Sequence, residues 1–298
     1  MSRVTSAIDA SYAACEKLAR SHYENFSVGS ALLPKGTKKH LWALYSFART
    51  TDDLGDEPFD STAYREALGR LPHGKTDRLA ALNAWERDLQ SSAAVHAVLP
   101  AVLDTRRTFD MPLEPFLKLI EANRMDQRAS RYATYADLAH YCDHSANPCG
   151  RMVLFLFGVR DDAAHTLSDA TCTALQLTNF WQDIAVDWKK DRVYLPQEDL
   201  RKFGATEADI AAGVVNDAFR ALMKFEVDRT RALFKQGLAL IDRLTGRAKF
   251  DIRLFSLGGQ RVLDLIEKNG YDIYRKRPKL SKLGKAWLAV SSFLGVAS

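Results

Sequence analysis

Two segments of this chain carry acidic side chains at spacings suited to chemistry. The first reads Arg49-Thr50-Thr51-Asp52-Asp53-Leu54-Gly55-Asp56-Glu57. On a helix, residues three and four apart share a face with Cβ atoms about 5–6 Å apart, which places Asp56 beside both Asp52 and Asp53. Carboxylates so arranged repel one another, and Gly55 weakens the helix further. Mg²⁺ relieves such repulsion, because a hard cation takes carboxylate oxygens and keeps waters that a phosphate can replace. Taken alone, the segment reads more readily as an exposed acidic helix end, since acidic clusters are common on surfaces.

The second segment runs from Leu175 to Trp188, with Asn179, Asp183 and Asp187 at four-residue steps along one stripe. Its flanks, Leu175, Leu177, Phe180, Trp181, Ile184, Val186 and Trp188, are apolar almost all round, which predicts a largely buried helix. Buried carboxylates need partners, so three aligned oxygen-bearing side chains read as a metal stripe. Two such stripes in one bundle could hold several Mg²⁺ ions bridging to a diphosphate. Arg49 precedes the first stripe, and Lys189, Lys190 and Arg192 follow the second. Acid, metal and base together suit departure of a diphosphate, whose developing charge the metals and guanidinium groups neutralise.

Other chemistries lack their signatures. No glycine-rich dinucleotide or phosphate loop occurs, nor a nucleophile elbow, nor His-Glu-x-x-His. The four cysteines form no Cys-x-x-Cys pair and no zinc spacing, which fits a reducing, cytosolic setting.

The elements that must position these stripes are helical. With 16 Gly and 9 Pro in 298 residues, turn residues are scarce for a β fold. Apolar spacing predicts helices over 4–22, 35–54, 77–98, 101–109, 113–129, 134–145, 149–157, 163–188, 206–243 and 247–269, with a turn-rich region from Pro58 to Lys75. The expected fold is all-α, a single-domain helical bundle spanning 1–298, whose 15 Phe, 10 Tyr and 5 Trp can line an apolar cavity. The start has no apolar core of a signal peptide, and no run of 18 apolar residues spans a membrane. The net charge of +5 gives no argument for a nucleic-acid partner. At the C-terminus Arg275, Lys276, Arg277, Lys279, Lys282 and Lys285 precede an apolar stretch from Trp287 to Val296. This 280–298 tail reads as a peripheral contact with the inner membrane face, or as a last helix packed on the bundle.

With these motifs in place, the chain resembles the squalene/phytoene synthase family over about residues 10–276. His22-Tyr23-Glu24-Asn25-Phe26-Ser27 with Leu32-Leu33-Pro34, then Trp42-Ala43-Leu44-Tyr45 and Arg49-x-x-Asp52-Asp53-x-x-Asp56, fit the family's first aspartate-rich region. Tyr141-Cys142 and Gly150 fit its middle region. Leu175-Gln176-Leu177-x-Asn179-x-x-x-Asp183-x-x-x-Asp187, followed by Arg192-Val193-Tyr194, fits the second. Departures stand at Tyr23, Asn25, Gln182, Val186, Ser145–Pro148 and Leu257-Gly258-Gly259-Gln260. With Asn179–Asp183 and Arg192–Asp199, they resemble the HpnC-type hydroxysqualene synthases of bacterial hopanoid pathways.

The resemblance implies an isoprenoid synthase bundle in which presqualene diphosphate ionises, rearranges and is captured by water, with Mg²⁺ and without NADPH. It implies that Asp52, Asp56, Asn179, Asp183 and Asp187 hold metal, with Asp53 of second rank. Arg49 and Arg192 would contact diphosphate, Phe26, Ser27 and Gln176 would border it, and His22 would lie beside the site. Tyr45, Tyr141 and Tyr194 would orient substrate; as core residues they would only need satisfied hydroxyls. Rival readings are the family's condensing activities, which make presqualene diphosphate, squalene, dehydrosqualene or phytoene, and a non-catalytic assembly factor. Gly258 and Gly259 open volume that Gln260 could use to hold a water, or they allow close helix packing.

Overall fold

A computed structural model describes residues 2–21, 36–69, 71, 76–91, 93–275 and 277–279. The fold is all-α; among the described residues the one extended pairing is an isolated bridge between Arg131 and Val193. The helices are α1 (Ser2–Ser21), α2 (Thr37–Asp56), α3 (Thr62–Leu68), α4 (Arg78–Gln90), α5 (Leu99–Thr108), α6 (Glu114–Met125) and α7 (Tyr135–Ser145). There follow α8 (Asn147–Leu156), α9 (Asp162–Trp188), α10 (Gln197–Phe203), α11 (Glu207–Ala212), α12 (Asp217–Leu238), α13 (Leu240–Arg243) and α14 (Gly246–Lys268).

Contacts gather into two compact units, one of residues 1–128 with 151–160, the other of 129–150 with 161–298. In the first, α2 packs on α1, α3, α4, α5 and α6. Phe47 of α2 stacks on Trp85 at 5.4 Å and meets Phe116 edge-on at 5.1 Å. All three rings are fully buried, and burial of each such side chain is worth about 1.5–3 kcal/mol. The Trp85 indole N–H donates to the Thr51 hydroxyl at 2.9 Å, and Thr51 donates to the Phe47 carbonyl at 2.8 Å. The back of α2 is thereby pinned one residue before the acidic run begins.

In the second unit, α9 packs on α7, α11, α12, α13 and α14. Asp161 starts α9 by accepting the Ala164 N–H at 2.8 Å. The buried Trp181 donates to Thr230 of α12 at 2.8 Å. A Cβ on Gly237 would fall 2.0 Å from the Thr171 hydroxyl and 3.0 Å from its backbone nitrogen, so glycine is what lets α12 approach α9.

Four expectations change. The helix predicted over 77–98 stops at Gln90, beyond which Asp88 accepts the Val95 and His96 N–H groups, and α10 forms where no helix was predicted. The 206–243 segment is three helices, because Gly213 ends α11 in a left-handed conformation and Asn216 starts α12 by accepting the Phe219 N–H at 2.8 Å. The turn-rich 58–75 region contains α3, which Ser61 caps by accepting the Tyr64 N–H at 3.0 Å. No helix among the described residues is long and apolar enough to cross a membrane. The 280–298 tail lies outside them.

Candidate active site

The acidic run of the first unit forms the C-terminal end of α2. Asp53 is buried and pairs with Arg49 at 2.5 Å, whereas Asp52 and Asp56 are exposed. Arg49 also reaches Glu57 at 3.5 Å. Asp52 keeps contact with water, yet protein crowds its carboxyl, and this desolvation pushes its pKa up to about 6. The Asn123 amide and the Arg49 charge work against that rise, and Asp53 and Asp56 add to it. Tyr45, one turn before Arg49, is half-buried and its phenol is raised, chiefly by desolvation.

The second unit carries the stripe on α9. The expectation that this helix is buried all round holds on one side only. Leu177, Thr178, Phe180, Trp181 and Ile184 are buried, while Asn179 and Val186 are exposed and Asp183 and Asp187 are half-buried. An open stripe avoids the desolvation that sealing several acceptors in a core would cost. Burial is therefore no argument for a metal stripe on α9, which rests on the spacing of its oxygen donors.

Asp183 is held by Arg277 in a two-pronged pair: Nη2 donates to Oδ2 at 2.9 Å and Nε donates to Oδ1. Beside it, the buried Gln182 amide donates to the Pro278 carbonyl. Arg277 belongs to a run that sequence marked only as a basic tail. Gln176 is half-buried, one turn before Asn179 and Phe180.

The turn after α9 delivers Arg192 and Tyr194. Asp191 takes a positive φ of 56°, and the Arg192 N–H returns to the Asp187 carbonyl at 3.0 Å. Arg131 clamps this turn, donating to the Asp191 carboxylate and to Glu207, both at 2.8 Å. Val193 N–H donates to the Ser130 carbonyl at 2.9 Å. Tyr194 then stacks on Phe180 with ring centres 3.7 Å apart, with Tyr132 at 5.8 Å and Tyr141 at 6.0 Å. Tyr141 and Tyr194 thus join one aromatic cluster, to which Tyr132 and Phe180 are additions that sequence spacing did not select. Aromatic faces attract a nearby cation.

His22, Phe26 and Ser27 lie outside the described residues. Among the described residues, no three His, Cys, Asp or Glu side chains converge into a metal cage. The oxygen donors still suit Mg²⁺, which is commonly held by one or two carboxylates while waters and substrate phosphate complete its shell.

The two glycines of α14 differ. A Cβ on Gly259 would fall 2.4 Å from the Phe234 ring and 2.9 Å from Leu175, whereas one on Gly258 would meet nothing within 4 Å. Gly259 is therefore a packing residue. Gly259→Ala is expected to cost about 1–3 kcal/mol by overpacking, and Gly258→Ala to gain up to about 1 kcal/mol from helix propensity. Chemical denaturation of both variants checks this; equal effects at the two positions would contradict it.

An all-helical chain with an acidic stripe on each of two helices has the architecture of an isoprenoid synthase. The family model described as squalene/phytoene synthase matches residues 19–284, and the chain belongs to that family of head-to-head prenyl synthases. Among curated relatives, the 15-cis-phytoene synthase of Synechococcus elongatus is 32% identical, the match covering 93% of this chain and 90% of that protein. Among solved structures, squalene synthase HpnC from Alicyclobacillus acidocaldarius superposes with a TM-score of 0.81 at 42% identity, covering 89% of this chain and 96% of that one. A dehydrosqualene synthase superposes with a TM-score of 0.81 at 21% identity over 98% of both chains, which speaks to fold alone.

Proposed function

We propose that this enzyme converts presqualene diphosphate and water to hydroxysqualene and diphosphate. The observation that carries the reading is the 42% identity to squalene synthase HpnC over 89% of the chain, against 32% to the phytoene synthase of Synechococcus elongatus. The C–O bond to diphosphate breaks and the electron pair leaves with the diphosphate. The cyclopropylcarbinyl cation rearranges, and a water oxygen bonds to it and then loses a proton.

In this reading Asp52 and Asp56 on α2 would hold Mg²⁺, with Asp53 steadying Arg49, and Asn179, Asp183 and Asp187 on α9 would hold it likewise. Mg²⁺ held by these residues would supply neutralisation of the charge that develops on the leaving diphosphate. Arg49 and Arg192 would donate hydrogen bonds to diphosphate oxygens, with Gln176 beside Asn179 on the same helix. Tyr45 orients the substrate. Tyr141 and Tyr194, with Phe180, present ring faces to the carbocation. The reaction is redox-neutral and takes no hydride, so NADPH has no part in it.

The phytoene synthases among the curated relatives favour a second reading, condensation of two prenyl diphosphates. Product analysis separates the two. Presqualene diphosphate with Mg²⁺ is expected to yield hydroxysqualene, unchanged by NADPH and abolished by chelation. Complete conversion to squalene on adding NADPH would overturn water capture. Turnover of farnesyl or geranylgeranyl diphosphate alone, with presqualene diphosphate inert, would establish the condensing reading.

A further inference from the structure

The acidic end of α2 is a helix terminus that should fray. Asp52, Asp53, Asp56 and Glu57 crowd it, and its last turn carries no base. Negative charge at a helix C-terminus opposes the helix dipole, carboxylates four apart repel, and Gly55 adds conformational freedom. The helix nevertheless runs to Asp56. Arg49 compensates Asp53 and Glu57, on one side only. The other side rests on α6 and the turn after it.

There Asn123 and Gln127, one helical turn apart, both donate toward α2. The Gln127 amide donates at 3.0 Å to the Gly55 carbonyl, one of the last carbonyls of α2 and thus without a partner inside its helix. The same amide is fixed at 3.0 Å to the Asn123 carbonyl. The Asn123 amide donates to Asp52 Oδ1 at 3.4 Å and is fixed at 3.1 Å to the Leu119 carbonyl. This approach requires the glycine, because a Cβ on residue 55 would fall 2.0 Å from Asn123 Oδ1. The residue that weakens α2 as an isolated helix is the one that admits the clamp.

We propose that Asn123 and Gln127 are positioning residues that hold Asp52 ready for a divalent cation, an inference that rests on the metal role proposed for Asp52. The chemistry of the pair favours this over simple bracing. An arginine or lysine on α6 would brace the helix end more strongly, but would pair with Asp52 as Arg277 pairs with Asp183, a carboxylate the cation has to win from its partner. Neutral amides orient the carboxylate and leave its charge for the cation.

Two near-isosteric variants without the donors, Asn123→Leu and Gln127→Met, test the clamp, with folding followed by circular dichroism. The first readout is Mn²⁺ binding to the full-length protein with inorganic diphosphate, followed by electron paramagnetic resonance. The second is the Mg²⁺ concentration for half-maximal turnover. Loss of one such hydrogen bond is expected to weaken both constants roughly five- to tenfold, while kcat at saturating Mg²⁺ stays within about twofold. Should Asn123→Leu fail to fold, Gln127→Met, at a part-buried position, carries the same comparison. Folded variants with unchanged Mn²⁺ and Mg²⁺ constants, beside a metal-dependent wild type, would overturn the clamp. A wild type indifferent to divalent metal would overturn the metal reading of Asp52, and the clamp with it.

Discussion

Replacing Asp183 by Asn is expected to lower turnover at least about 10²-fold while the protein stays folded. The two side chains differ little in size, and Asp183 is half-buried at the open stripe of α9, so packing changes little. The substitution also weakens the pair with Arg277, whose side chain is half-exposed. A pair so exposed is worth at most about 1 kcal/mol, a small part of the about 5–15 kcal/mol that holds a typical domain folded. Unfolding therefore cannot account for a hundredfold loss. Losing one electrostatic stabiliser of a leaving group can, since such groups contribute about 10²–10³ in rate. Turnover of presqualene diphosphate at saturating Mg²⁺, beside a thermal melt, separates the two effects. A folded Asp183→Asn enzyme with full activity would remove the α9 stripe from the chemistry.

How far the sequence reaches can be judged from the same residues. The four-residue rhythm of Asn179, Asp183 and Asp187 was legible because helical spacing is local, and the helix carrying it runs close to its expected bounds. Its surroundings were not. Apolar residues on every flank predicted a buried helix, but periodicity cannot tell which sectors a neighbour covers. Packing against α7, α11, α12, α13 and α14 leaves the carboxylate stripe open. Arg277 was legible only as one base in a basic run, because its partner Asp183 lies 94 residues away. Asn123 and Gln127 gave no signal at all, since an amide on a helix becomes informative only once its partner helix is known. Gly55 is visible in the sequence only as a weak point of an isolated helix, because the Cβ clash with Asn123 belongs to tertiary structure. The break at Gly213–Asn216 could have been read from its glycine and capping asparagine, whose local geometry outweighs the apolar rhythm running through it.

The segment that delivers Arg192 and Tyr194 continues into α10, and what anchors α10 yields a second large effect, on stability. Glu226 of α12 is fully buried, and Asp199 of α10 is nearly so. Arg229 pairs with Asp199 at 2.8 Å, lies 3.3 Å from Glu226, and sits over the Tyr135 ring at 4.1 Å. Two carboxyl groups thus share one guanidinium. Desolvation pushes the Glu226 pKa from 4.5 up to about 8, with Asp199 adding to the rise and Arg229 and Lys202 opposing it. Near neutral pH Glu226 therefore keeps its proton and donates it toward Asp199. The folded state holds that proton more tightly than the unfolded chain does. The stability it confers is complete below pH 4.5 and is lost as the pH rises through about 8. A glutamine side chain at this position would present an N–H donor in the same place and would not titrate. Glu226→Gln is thus expected to match the wild type near pH 4.5 and to exceed it near pH 8.5 by on the order of a few kcal/mol. Urea denaturation of both proteins across this range checks the expectation, since titrations they share cancel in the difference. A difference that stays flat with pH would show that Glu226 is ionised in the folded protein, with Arg229 compensating both carboxylates.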